Sequence, residues 1–184
     1  MFGNQSEPVV ISRDVEAIVI PSGEETTLPE DAMGYITQAL GGSFTVYLDG
    51  HLFRIAGHDA DALGKEPTPR PELPEGATND DVEKLAWDQM RTCFDPEIPI
   101  NVVDLGLIYG CTFEHGGGTS RRVDVVMTLT APGCGMGDVL VADVREKLLL
   151  IPTVEDVRVE LTFEPAWDQS RMSEAARLQT GMMY

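Results

Sequence analysis

Apolar and polar residues alternate in several short stretches of the first third of the chain. Val15 to Ile20 (VEAIVI) predicts a β-strand, closed by the turn residues Pro21-Ser22-Gly23. Phe44 to Leu48 and Leu52 to Ala56 flank Asp49-Gly50, a dipeptide suited to a two-residue type I′ hairpin. Three or four short strands of this kind predict a small β-rich module. Two outcomes are open for it: packing on a second domain, or a small sandwich-like or barrel-like unit.

The pattern changes after residue 78. Val82, Leu85, Ala86, Met90 and Cys93 recur at helical spacing and predict a helix over Asn79 to Cys93. Thr78 or Asn79 can cap it, and Asp80, Asp81 and Glu83 suit the positive end of its dipole. Asp95-Pro96 stops it. Leu105 to Glu114 reads as a strand and Gly116 to Gly118 as a turn. Val123, Val125, Met127 and Leu129 then alternate as the second arm of a hairpin. A second helix is expected over Asp138 to Leu150, ended by Pro152. A third strand follows through Val157, Val159, Leu161 and Phe163, and a last helix over Ser170 to Gln179. The order α-β-β-α-β-α predicts an α+β fold in which helices cover a small mixed sheet.

Between the two patterns, Lys65 to Gly76 (KEPTPRPELPEG) holds four prolines in twelve residues. Proline fixes φ and removes a donor, so this segment reads as an extended linker. The expected division is a β-rich module over residues 1–74 and an α/β domain over residues 75–184.

Charge narrows the partners. The 184 residues carry 13 Lys+Arg against 31 Asp+Glu, a net charge of −18. Such a surface opposes nucleic-acid phosphates and anionic lipid, both of which need a basic face. No apolar run reaches the roughly 18 residues of a membrane span, and the first ten residues lack the pattern of a secretory signal. Cys93, Cys111 and Cys134 are an odd number without short-range pairing, so a reducing cytoplasm is the expected setting. No CxxC or Cys–His ribbon with structural zinc spacing occurs.

Two segments carry candidate chemistry. Thr130 to Gly137 (TAPGCGMG) joins a strand to a helix. Glycines there free backbone N–H groups, and a following helix N-terminus lowers a thiol pKa. Cys134 would then be a thiolate, able to act as a nucleophile or a soft metal ligand. The alternative is a tight turn in which Cys134 fills a small gap. No Gly-Lys-Ser/Thr follows, so the loop is not a nucleotide P-loop. The second segment, Asp95 to Tyr109, gathers Asp95, Glu97, Asn101 and Asp104 around two prolines. These residues either cap turns, or place Glu97 or Asp104 beside Cys134 as a proton acceptor or oxygen ligand; spacing leaves both open. Cys93 ends an apolar helical face, as a core residue would, and Cys111 reads as structural. A thiol enzyme needs a nearby base, and no His stands close to Cys134 in sequence.

CFDPEIPINVVDLGLIYG, MTLTAPGCGMG and VRVELTFEPAWDQSRMSEAARLQTGM, in this order, closely resemble the iron–sulfur cluster assembly domain-like family. That family includes the phenylacetate-pathway accessory protein PaaD and eukaryotic cytosolic iron–sulfur targeting factors. The resemblance covers about residues 78–184. The N-terminal text resembles the extension of the family's SufT branch.

The resemblance implies a non-enzymatic accessory role in iron–sulfur cluster assembly and protein maturation within the SUF system. Iron or a transient iron–sulfur cluster would be bound through Cys134. Glu97 matches the family's motif acid, Asp104 lies in the matching DLGLIY stretch, and Cys93 stands two residues before Asp95; these four residues are the implied metal-binding set. The implied partners are iron–sulfur assembly proteins and client apo-proteins. Because one thiolate cannot hold a cluster, a homo-oligomer is expected. A metal-free adaptor that docks client apo-proteins is the alternative. The chain reads GCGMG where many relatives read GCP, which alters the loop's stiffness but keeps the thiol.

Overall fold

A computed structural model describes residues 6–95, 98–133 and 135–181. The chain divides into two compact units between Arg70 and Pro71, inside the proline-rich segment.

In the first unit, strands β1 (Glu7–Val10), β2 (Val15–Ile20), β3 (Glu25–Leu28), β4 (Met33–Leu40), β5 (Ser43–Leu48) and β6 (His51–Ile55) form one sheet. Its order is β1-β4-β5-β6-β2-β3, and every pairing is antiparallel. At the β5–β6 turn Asp49 has φ 49° and Gly50 φ 87°, the two positive values a type I′ turn requires. Alternation puts Val9, Val15, Ile36, Val46 and Ile55 on one face, where they form a core with Ile11, Leu28 and Leu63. Leu63 comes from a 3-10 turn, Gly57–Leu63. The sheet therefore has more strands than the three or four the pattern predicts. β1 and β3 have too few apolar residues to announce themselves, and their backbone groups are satisfied by pairing with β4 and β2.

In the second unit the order is α1 (Asn79–Met90), β7 (Ile108–His115), β8 (Arg121–Met127), α2 (Gly137–Leu149), β9 (Val154–Leu161) and α3 (Glu174–Thr180). β7 and β8 are an antiparallel hairpin, and β9 lies parallel to β8. Parallel neighbours need a crossover, which α2 supplies. Val82, Ala86 and Met90 of α1 and Leu140, Val144 and Leu148 of α2 bury against Val123, Val125, Met127 and Val157. This is the mixed α+β arrangement expected from the element order. Thr78 caps α1 in a reciprocal box: its hydroxyl accepts the Asp81 N–H, and the Asp81 carboxylate accepts the Thr78 N–H at 2.7 Å. Those hydrogen bonds hold the Asp81 carboxyl below the usual carboxylate range.

Three boundaries differ from the sequence expectation. Helix α1 stops at Met90, because Thr92 and Cys93 bond back to Gln89 and Met90 in i→i+3 fashion and tighten the last turn. Strand β7 starts at Ile108, because Val102 to Gly106 coil into consecutive turns. The last helix starts only at Glu174, capped by Ser173, after a short 3-10 turn at Gln169–Arg171 capped by Asp168. No helix among the described residues is long and apolar enough to cross a membrane.

Candidate functional site

The segment between α1 and β7 is held by its own polar residues. Phe94 and Asn101 pair as an antiparallel bridge, with Val102 N–H donating to the Cys93 carbonyl at 2.8 Å. Asp95 is only 3% exposed, and its carboxylate accepts the Ile98 N–H at 2.9 Å. The Asn101 side-chain oxygen accepts the N–H groups of Val103 (3.1 Å) and Asp104 (2.9 Å), while its amide donates to the Asp104 carboxylate at 2.6 Å. This is the turn-capping use of Asn and Asp.

The C-terminal tail fastens the same segment from the other side. Trp167 Nε1 donates to the Leu105 carbonyl at 2.7 Å, and Ser173 N–H donates to the Asp104 carbonyl at 2.8 Å. Tyr109 Oη donates to the Pro165 carbonyl at 2.8 Å, and the Arg171 guanidinium lies 4.5 Å above the Tyr109 ring, a cation–π contact. Gly106, at φ 72°, allows the two backbones to touch. DLGLIY and the tail thus form one unit, although they are about 60 residues apart in sequence.

The glycine loop begins where this unit meets the sheet. Thr128 N–H donates to the Leu107 carbonyl at 2.9 Å, so the DLGLIY segment and the start of the TAPGC loop are adjacent. Gly133 has φ 79°. Gly137 opens α2, where a Cβ would stand 2.9 Å from Leu129 Cδ1. Ala131, Pro132, Gly133 and Gly135 are exposed. The Thr128 hydroxyl is buried and has no hydrogen-bond partner among the described residues. At its other end α2 reaches the first segment: Lys147 Nζ donates to the Thr92 carbonyl at 2.5 Å and lies 3.4 Å from the Asp143 carboxylate, both side chains being buried. One helix therefore carries the glycine loop at its start and grips the residue before Cys93 near its end.

Of the four residues in the implied metal set, Cys134 and Glu97 lie outside the described residues. Cys93 is 0% exposed within the core, with its Sγ 3.8 Å from the Gln89 carbonyl oxygen. Asp104 is half-buried and engaged by Asn101. Cys93 therefore contributes packing, and Asp104 contributes turn geometry. Among the described residues no group of three or more His, Cys, Asp and Glu is placed to hold a metal ion. Cys93 and Asp104 by themselves, among the described residues, do not make a metal site.

Sequence reasoning missed a cleft of about 380 Å³ between α1 and β7, lined by residues including Asn79, Glu83, Cys111, His115 and Arg121. Arg121 donates to the Asn79 side-chain oxygen at 2.9 Å, and Asn79 Nδ2 lies 3.2 Å from His115 Nε2. Burial, with a smaller contribution from Glu83, pushes the Cys111 thiol up to about 12. Cys111 is thus a neutral thiol, not a thiolate ligand, at ordinary pH. The helical spacing of Asn79 and Glu83 was readable, but their meeting with β7 was not.

Residues 86–161 match the model of a family described as iron–sulfur cluster assembly protein. The chain is 43% identical over 106 residues to an Fe-S protein maturation auxiliary factor of Porphyromonas gingivalis, covering 58% of this chain and 93% of that relative. This chain belongs to the iron–sulfur cluster assembly protein family. A second member of the family, the Fe-S protein maturation auxiliary factor SufT of Staphylococcus aureus, is 35% identical over 88 residues, 48% of this chain and 96% of its own. Among solved structures, a domain of unknown function from Bacillus anthracis superposes with a TM-score of 0.50 at 29% identity, covering 56% of this chain and 94% of that one. The family-matched stretch runs from α1 to the end of β9, and so contains both candidate segments and the helix that links them.

Proposed function

We propose that this chain is an auxiliary factor in the maturation of iron–sulfur proteins, and that Cys134 offers its thiol to iron or a cluster in transit to a client apo-protein. The match to the P. gingivalis maturation factor across 93% of that relative carries the reading. The local architecture supports it. The side chains of Asp95, Asn101 and Asp104 are engaged in turns, whereas exposed residues flank Cys134 in the sequence.

Iron or cluster is cargo in this reading. A cluster takes about four ligands, so Cys134 acts with Glu97 and with donors from a client, an assembly protein or a second copy of the chain. Homo-oligomerisation is one way to supply them. Anaerobic reconstitution of wild type and Cys134→Ser, followed by iron and sulfide analysis and native mass, tests this. The variant is expected to lose both elements. Equal content in the two proteins would remove Cys134 as a ligand.

The metal-free adaptor is the second reading; in it the buried Cys93 and the turn-bound Asp104 have structural roles. It predicts that Cys134→Ser retains assembly proteins and clients in a reducing pull-down, with no iron in either protein.

A further inference from the structure

We propose that the outer face of the N-terminal sheet docks a basic protein segment that carries apolar anchors. A one-sided antiparallel sheet normally turns polar residues outward. Here the strand register lines up Pro8, Tyr35, Tyr47, Leu52 and Ile20 directly opposite one another across β1, β4, β5, β6 and β2. This row lies on the face opposite Val9, Ile36 and Val46, which fill the core. At strand spacing it is about 19 Å long, enough for roughly six extended residues of a partner. Tyr35 and Tyr47 are 51% and 44% exposed. The neighbouring pair Val10 and Met33, also in direct register, is 51% and 76% exposed. Aromatic and Met side chains grouped in this way are the composition of an interface core, not of a solvated sheet.

Charge identifies the occupant. Glu16 and Glu25 are exposed on the same face at the β2–β3 side, since Glu16 shares the face of Ile18 and Ile20, and Glu25 stands opposite Ile18. Asp31 and Asp49 are exposed beside the strand ends that carry Met33 and Tyr47. Among the described residues, the Arg on this face, Arg54, is buried. A second copy of a chain at −18 would set acids against acids, and anionic lipid would be repelled in the same way. A segment alternating apolar residues with Lys or Arg satisfies both the row and its acidic rim. This inference does not rest on the handling of iron by Cys134.

The test uses the full chain and two labelled ten-residue peptides, one alternating Phe with Lys and one alternating Phe with Glu, followed by fluorescence anisotropy. The Lys peptide is expected to bind, and to weaken on raising salt from about 0.05 to about 0.5 M. Tyr35→Ser/Tyr47→Ser, and independently Val10→Ser/Met33→Ser, should each weaken it about tenfold. These sites are exposed, so circular dichroism should show both variants folded. Unchanged affinity in both folded variants, or equal binding of the Glu peptide, overturns the proposal. So does a wild-type dimer in sedimentation velocity that either variant dissolves, because the occupant would then be a second copy.

Discussion

A Cβ placed on Gly106 would stand 2.2 Å from the carbonyl oxygen of Arg171. The backbone of DLGLIY and the backbone of the C-terminal tail therefore meet at a point where only glycine fits. Gly106 also has φ 72°, a region that L side chains enter at a cost. Gly106→Ala adds strain to a steric clash with backbone, and is expected to destabilise the C-terminal unit by about 2 kcal/mol or more. Urea unfolding monitored by tryptophan fluorescence measures it, and an unchanged midpoint would show that the tail does not pack on Gly106.

Trp167→Phe keeps most of the apolar ring but removes the indole N–H that serves the Leu105 carbonyl at 2.7 Å. Leu105 is fully buried, and its carbonyl loses that donor. The expected loss is about 1–2 kcal/mol. Trp87, the other tryptophan, remains to report unfolding. A loss no larger than that of an exposed surface substitution would contradict the staple.

Lys147→Met withdraws an ammonium from beside the buried Asp143 carboxylate and from the Thr92 carbonyl. Removing one partner of a buried ion pair costs about 3–5 kcal/mol, while replacing both by apolar groups is far milder. Lys147→Met should therefore be much less stable than Lys147→Met/Asp143→Leu, and denaturation midpoints of the two proteins decide it. Equal stability would mean that the pair is not coupled.

Cys111, raised to about 12 by burial and then by Glu83, should resist alkylation. At pH 8.5 an ordinary thiol is about half ionised, and Cys111 would carry roughly a thousandfold less thiolate. Iodoacetamide labelling resolved by peptide mass spectrometry reads this directly. The sign of the linkage follows from the native state keeping its proton. Between about 9 and about 12 the unfolded chain releases the Cys111 proton and the native one holds it, so stability falls as pH rises through that window. Cys111→Ala should flatten that part of the stability profile. An identical slope in the variant would place the thiol in a wetter setting.

The periodicity of Val82, Leu85, Ala86 and Met90, and the alternation of Val123, Val125 and Met127, made the α-β-β-α-β-α order legible, because each period reports which side of an element faces the core. Asp49-Gly50 was equally direct, since few other dipeptides accept two positive φ values in a row. The motif text around Asp95 and the glycine loop singled out two segments without giving their geometry. Asp104 could be read as a turn cap or as an oxygen ligand beside Cys134, because an oxygen's partner is chosen by folding and not by spacing.

What the chain determined by itself was therefore its local periods, its turns, its acidity and its family. What only the tertiary structure decided were meetings between distant residues: Gly106 with Arg171, Lys147 with the Thr92 carbonyl, Cys111 with Glu83, and the register that lines up Tyr35 and Tyr47. The reason is physical. Local preferences extend over a few residues, whereas burial of Cys93 in the core and exposure of Met33 depend on which remote surfaces come together, and no short stretch of sequence encodes that.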